Sequence, residues 1–219
     1  MKKSLAALIS LIILAVPFAG AMALTITLPE NPGTGFTWTY EQSDDALLTE
    51  KENVYTPDAG AQDLVGAGGS RTWEFRPDGR GDAVLSFALA RSGDAKPSVR
   101  LDLLYRVADG AATLRGKVEM MLGNVFISLP ENPTTGYTWQ TDGGLGDVLM
   151  LKEDSYVPDG NPGGLLGGGG THRWHYVAKA PGDTAITFTY ARPWESDAAE
   201  TVEFSFSVDE DYNIAPIKP

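Results

Sequence analysis

The 219-residue chain carries 17 Lys and Arg against 29 Asp and Glu, a net charge of −12 that offers polyanions no basic footprint and excludes DNA and RNA as partners. Its 42% hydrophobic and 21% charged residues are those of a globular chain rather than a disordered or multi-span one. It has no cysteine, so disulfides, thiolate metal sites and a Cys nucleophile are out of reach and stability must come from packed apolar area.

The chain opens Met1-Lys2-Lys3, runs apolar from Leu5 to Phe18 and reaches Ala21-Met22-Ala23, the pattern of a secretory signal with an A-x-A cleavage site. Residues 1–23 are therefore expected to be a signal peptide. Cleavage after Ala23 would leave 15 basic against 29 acidic residues, a net of −14. The alternative is an uncleaved membrane anchor, because the uncharged run from Ser4 to Ala23 approaches the roughly 20 residues that span a bilayer. Either way Lys2 and Lys3 stay inside, and everything after Leu24 is expected outside the membrane, secreted, extracellular or periplasmic.

Beyond the leader the chain repeats itself. Leu28–Trp38, LPENPGTGFTW, returns as Leu129–Trp139, LPENPTTGYTW, at an offset of 101, and the same offset carries Tyr55 to Tyr156, Trp73 to Trp174, Phe87 to Phe188 and Arg91 to Arg192 without a gap. A period near 100 is too long for a solenoid unit, so each copy is expected to be a complete domain, 24–111 and 112–219. Leu85, Phe87 and Leu89 alternate with small residues, as do Ile186, Phe188 and Tyr190, and Val202, Phe204, Phe206 and Val208 alternate with Glu and Ser. Period two means half-buried strands, and no mature segment shows a helix of ten or more residues. The fold class is all-β, two tandem immunoglobulin-like antiparallel sandwiches joined near Asp109-Gly110, which has turn chemistry. Ala112–Met121 offers the second copy an opening strand; the first copy begins almost at the cleavage site and would lack one or borrow one.

Three loops of the second copy stand out. In Asn132-Pro133-Thr134-Thr135-Gly136-Tyr137, proline fixes its own φ and restricts Asn132, while Gly136 tolerates positive φ, so the loop is stiff and loses little entropy on binding. Taken alone, such a stretch is also an ordinary turn. Gly167-Gly168-Gly169-Gly170 lacks the Lys and the following helix of a phosphate loop, and a strand follows instead, so nucleotide binding is excluded. Arg192-Pro193-Trp194 places a tryptophan where the first copy has Gly93, so the fold closes without it and it is a candidate interface anchor. Trp38, Trp139, Trp73 and Trp174 occupy matching positions and are expected in the cores.

His172 and His175 lie three apart on a strand and point to opposite faces, which argues against a shared metal site. No nucleophile and base are suggested by either copy, and no metal or cofactor is expected.

The three loops, in this order on one all-β copy, resemble those of the chagasin-type inhibitors of papain-like cysteine proteases: an N-P-T-T-G-Y/F loop, a G-x-G-G loop and an R-P-W/F loop on an immunoglobulin-like sandwich. The resemblance implies a non-enzymatic, monomeric inhibitor that occludes the protease cleft. Thr134 and Thr135 would lie nearest the protease nucleophile, with Gly167–Gly170 on one flank and Trp194 on the other. The first copy departs from the pattern: Asn31-Pro32-Gly33-Thr34-Gly35-Phe36 and Gly66-Ala67-Gly68-Gly69 remain, but Arg91-Ser92-Gly93 replaces the third motif. It would be a weaker second site, a spacer, or a binder of something else. An extracellular adhesion module that kept the sandwich without inhibiting anything is the rival reading.

Overall fold

A computed structural model describes residues 12–18, 21–60, 68–142, 146–160 and 168–217. Of these, one compact unit holds those up to Pro97 together with Leu104–Leu114, and the other Ser98–Leu103 with Arg115 onward. The expected boundary at 111/112 falls in the hairpin that both units draw on.

In the first unit β1 (Ile12–Phe18), β2 (Ala21–Glu30), β4 (Leu48–Pro57) and β5 (Gly69–Pro77) form one antiparallel sheet in the order β1-β2-β5-β4. Against it lie β3 (Phe36–Gln42), β6 (Gly81–Arg91) and β7 (Val99–Ala108). The layers meet through aromatic rings: Trp73 of β5 packs edge-on to Phe87 of β6 at 4.8 Å, and Tyr40 of β3 meets Phe75 at 5.5 Å. Trp73, Phe75, Phe87, Ile26 and Leu28 are fully buried, as the period-two pattern requires.

Asp109 and Gly110 both take positive φ, +53° and +74°, the backbone of a type I′ turn, and lead into β8 (Ala111–Met121). The second unit repeats the plan. β9 (Asn124–Glu131), β11 (Leu149–Pro158) and β12 (Gly170–Ala178) follow β8 in the order β11-β12-β9-β8. They are opposed by β10 (Thr138–Thr141), β13 (Gly182–Ala191), β14 (Glu200–Val208) and β15 (Ile214–Pro216). Trp174 of β12 meets Phe188 of β13 at 4.5 Å across the core. Trp38, Trp73, Trp139 and Trp174 are all buried, as expected, each ring removing about 150–250 Å² from water.

The first copy does have an opening strand, and it comes from an unexpected place. β1 pairs with β2 from Ile12↔Thr27 to Phe18↔Ala21, as β8 pairs with β9 in the second copy. It lies inside the segment read as a leader, so a chain beginning at Leu24 lacks this strand. No helix among the described residues is long and apolar enough to cross a membrane.

Candidate functional site

The register brings the three loops of the second copy to one end. Glu131, the last residue of β9, pairs with Gly170, the first of β12, while Thr138 at the start of β10 pairs with Ala191 at the end of β13. The first loop therefore crosses from one sheet to the other at the edge where the glycine loop enters β12 and where the third loop leaves β13.

The first loop folds as a single 3₁₀ turn over Pro133–Thr135. Asn132 accepts from the Thr134 backbone N–H at 3.2 Å and from the Thr134 hydroxyl at 2.6 Å. The Thr135 hydroxyl donates to the Asn132 carbonyl at 2.7 Å. Gly136 closes the turn with φ +82°, its N–H donating to the Pro133 carbonyl at 2.9 Å. Each residue type of the motif thus has its own task in a stiff loop: Asn caps, Pro starts the turn, both Thr brace it and Gly ends it.

The third loop is clamped onto the first by Arg192. Its Nε donates to the Thr135 carbonyl at 3.2 Å, its guanidinium lies 4.3 Å above the Tyr137 ring, and Nη1 donates to Glu195 at 2.8 Å. The bond to Glu195 raises the titration of this guanidinium above its ordinary value. Tyr137 stacks in turn on Tyr190 at 5.4 Å, and the Asn132 N–H donates to the Tyr190 hydroxyl at 3.2 Å. The planar fork that makes these contacts cannot be copied by an ammonium. Arg192→Lys is therefore expected to loosen the tie between the first and third loops with little change in thermal stability, as read from faster amide exchange at Thr135–Tyr137 beside melting curves.

Trp194 is 72% exposed, so the core does close without it. Its ring is nevertheless supported: a Cβ built on Gly136 would come within 3.0 Å of Trp194 Cη2, so the indole rests directly on the glycine. On the other side, Gly169 lies against the first loop: a Cβ built on it would meet the Glu131 carbonyl at 3.2 Å, the Asp159 carboxylate at 3.8 Å and the Asn132 Cβ at 3.9 Å, and the Gly169 carbonyl accepts from the Asp159 N–H at 3.0 Å. Asn132–Tyr137, Gly168–Gly170 and Arg192–Trp194 are thus one contiguous ridge. Gly167, Gly66 and Ala67, also expected at the loops, lie outside the described residues.

The first copy repeats the 3₁₀ turn at Pro32–Thr34, with Gly35 at φ +83°, and Arg91 lies 4.4 Å above the Phe36 ring. Gly68 and Gly69 adjoin Glu30, the residue before Asn31. There is no ring at Gly93, which has open space around it and φ +92°. Two of the three elements are built and the third is bare.

Sequence reasoning overlooked Glu131, Tyr190 and Glu195. Glu131 was open to discovery: strand alternation puts it on the inward face with Leu129 and Ile127, an unusual place for a carboxylate, and Glu30 repeats it. His172 and His175 do face different surroundings; His175 stacks on Phe126 at 4.3 Å, and burial lowers its titration. No group of metal-ligating side chains occurs among the described residues.

The second copy thus presents three loops together at one end of an all-β domain, and the first copy repeats two of them. The family model of the Chagasin family peptidase inhibitor I42 matches residues 21–104 and again 123–208, and the chain belongs to that family. Chagasin of Trypanosoma cruzi is 38% identical over 85 residues, spanning 37% of this chain and 76% of that protein. Amoebiasin-1 of Entamoeba histolytica is 35% identical over 77 residues, 34% of this chain and 71% of that one. The crystal structure of the cysteine protease inhibitor EhICP2 from Entamoeba histolytica aligns at 26% identity over 37% of this chain and 75% of that one, with a TM-score of 0.33.

Proposed function

We propose that the chain is a reversible proteinaceous inhibitor of papain-like cysteine proteases, acting outside the cytoplasm as a monomer. The ridge of the second copy, 112–219, enters the active-site cleft. The observation that carries this reading is the exposed Trp194 braced on Gly136 beside a turn whose two threonine hydroxyls and glycine N–H are already committed. An indole held in place before binding loses little entropy on burial and is the side chain most often found as an interface anchor. Thr134 and Thr135 form the centre of the wedge, Gly168–Gly170 one flank and Trp194 the other. Such a contact buries on the order of 1,600 Å² in total. In this reading the chain occludes the cleft and performs no chemistry of its own.

The first copy, 24–111, is a weaker second site. A Cβ at position 93 would meet nothing within 4 Å, but the left-handed φ of Gly93 makes any side chain there strained, so restoring the third motif requires Ser92 and the turn after it to change as well. We further propose that residues 1–23 direct export.

The test is titration of the purified chain against papain with a fluorogenic substrate, run in parallel against a serine protease such as trypsin. Stoichiometric, reversible inhibition of papain and none of trypsin is expected. Equal inhibition of both, or of neither, contradicts the reading.

A further inference from the structure

Beneath the first loop of the second copy lies a chain of titratable groups that the inhibitory ridge itself does not use. Glu131 is 6% exposed and ends β9 immediately before Asn132. Its Oε2 accepts from the Trp139 backbone N–H at 2.9 Å and stands 2.8 Å from His172 Nδ1. The Trp139 indole N–H donates to the Pro130 carbonyl at 2.9 Å, so the loop is closed at its base by bonds between the residues on either side of it. His172 Nε2 stands 2.6 Å from Asp154 Oδ1. The imidazole stacks on the Trp174 indole at 4.0 Å, and that indole N–H donates to the other Asp154 oxygen at 3.1 Å.

Both partners of the imidazole are carboxylates, which accept and do not donate when ionised. A ring with hydrogens on both nitrogens satisfies both. A neutral ring turns a lone pair toward one of them at under 3 Å, exchanging a charge-assisted bond for a repulsion. The first copy meets the same problem differently. There Glu30, also buried, is held by Arg71, at the position equivalent to His172, through Nε and Nη2, while Nη1 donates to Asn53 at 3.1 Å. Arginine keeps its charge at every working pH, whereas histidine changes charge between about pH 5 and 8.

We propose that His172 is a positioning residue for the first loop, and that its protonation makes inhibition by the second copy pH-dependent: firm with the charged ring, slack with the neutral one. This rests on the inhibitor reading above. The bond to Glu131 is the route, because that carboxylate also holds Trp139 at the loop's far side. The other groups around it do not supply the switch. Tyr156 of β11 pairs with His172, and its hydroxyl titration is raised by burial, then by Glu131 and Asp159. Asp159 and Tyr190 line, with Glu131, a cavity of about 300 Å³, and Arg115 of β8, on the same wall, is bonded to Glu200. Arg173 is exposed. Between two acceptors the doubly protonated ring makes two bonds and the neutral ring one, so the loop is held more firmly at the acid end of the range.

The experiment compares the full chain with His172→Arg and His172→Gln against papain across pH 5.5 to 8. Taking ratios at each pH cancels the protease's own titrations. The wild-type and arginine chains should have inhibition constants within about twofold of each other at the acid end, and the wild type should be about tenfold weaker at the alkaline end. The glutamine chain should track the alkaline wild type at every pH. A wild-type to arginine ratio that does not move with pH overturns the proposal, and if the arginine chain does not fold, a wild-type to glutamine ratio that does not move does so. Amide exchange at Trp139 in the free chain supplies a second readout. If papain is not inhibited at all, the inhibitor reading fails, yet protection of this amide that falls with pH in the wild type and not in the variants still supports the latch. Flat protection in every chain overturns it.

Discussion

Trp194→Ala should weaken inhibition of papain by about 2 kcal/mol or more, roughly thirtyfold, while leaving the melting temperature of the chain nearly unchanged. The separation follows from its surroundings. The ring is 72% exposed, so the folded chain loses little when it is removed, but it is held against Gly136, so a partner gains a rigid apolar surface. Inhibition constants and melting curves on the same preparations check both halves. An unchanged inhibition constant removes Trp194 from the interface; a large fall in stability would mean that the ring belongs to the fold.

Gly170→Ala should destabilise the chain by about 3 kcal/mol, the cost of forcing an atom into a packed site, whereas Gly168→Ala should stay within about 0.5 kcal/mol. A Cβ at Gly170 would stand 2.4 Å from the Val157 carbonyl and 2.5 Å from the Tyr156 hydroxyl, and the former is backbone that cannot swing aside. Gly168 has nothing within 4 Å. The run of glycines therefore holds two different roles: Gly170 lets Tyr156 cross over the strand, and Gly168 leaves bare backbone at the tip for a partner. Denaturant melts of the two variants read the first role. The second predicts that Gly168→Ala weakens inhibition severalfold despite its intact fold.

Much of this was legible in the sequence because the chain is its own alignment. The 101-residue offset laid the two copies over each other, and period-two alternation identified strands whose inward residues are the buried ones. The same overlay singled out Trp194, since its counterpart Gly93 shows that the core does not need it. Other features were not legible. The left-handed backbone at Gly93 depends on the whole course of its turn, and glycine permits that φ without requiring it. Pairing of Ile12–Phe18 with β2 was hidden by an apolar run that reads equally well as a leader. The bond from Glu131 to His172 spans 41 residues, and only the β9–β12 register places the two together. Arg192 illustrates both sides: its motif was visible, but its grip on Thr135, Tyr137 and Glu195 came from the fold.

Amide hydrogen exchange on the full chain, free and saturated with papain, tests most directly whether the second copy's ridge is what enters the cleft. New protection should appear at Asn132, at 134–137, at 168–170 and at Arg192 and Trp194, Pro133 and Pro193 having no amide hydrogen, with the opposite end around Leu122–Gly123 and Tyr212 unaltered. Protection confined to 31–36 and 68–69 in the first copy, or centred on that opposite end, would contradict it.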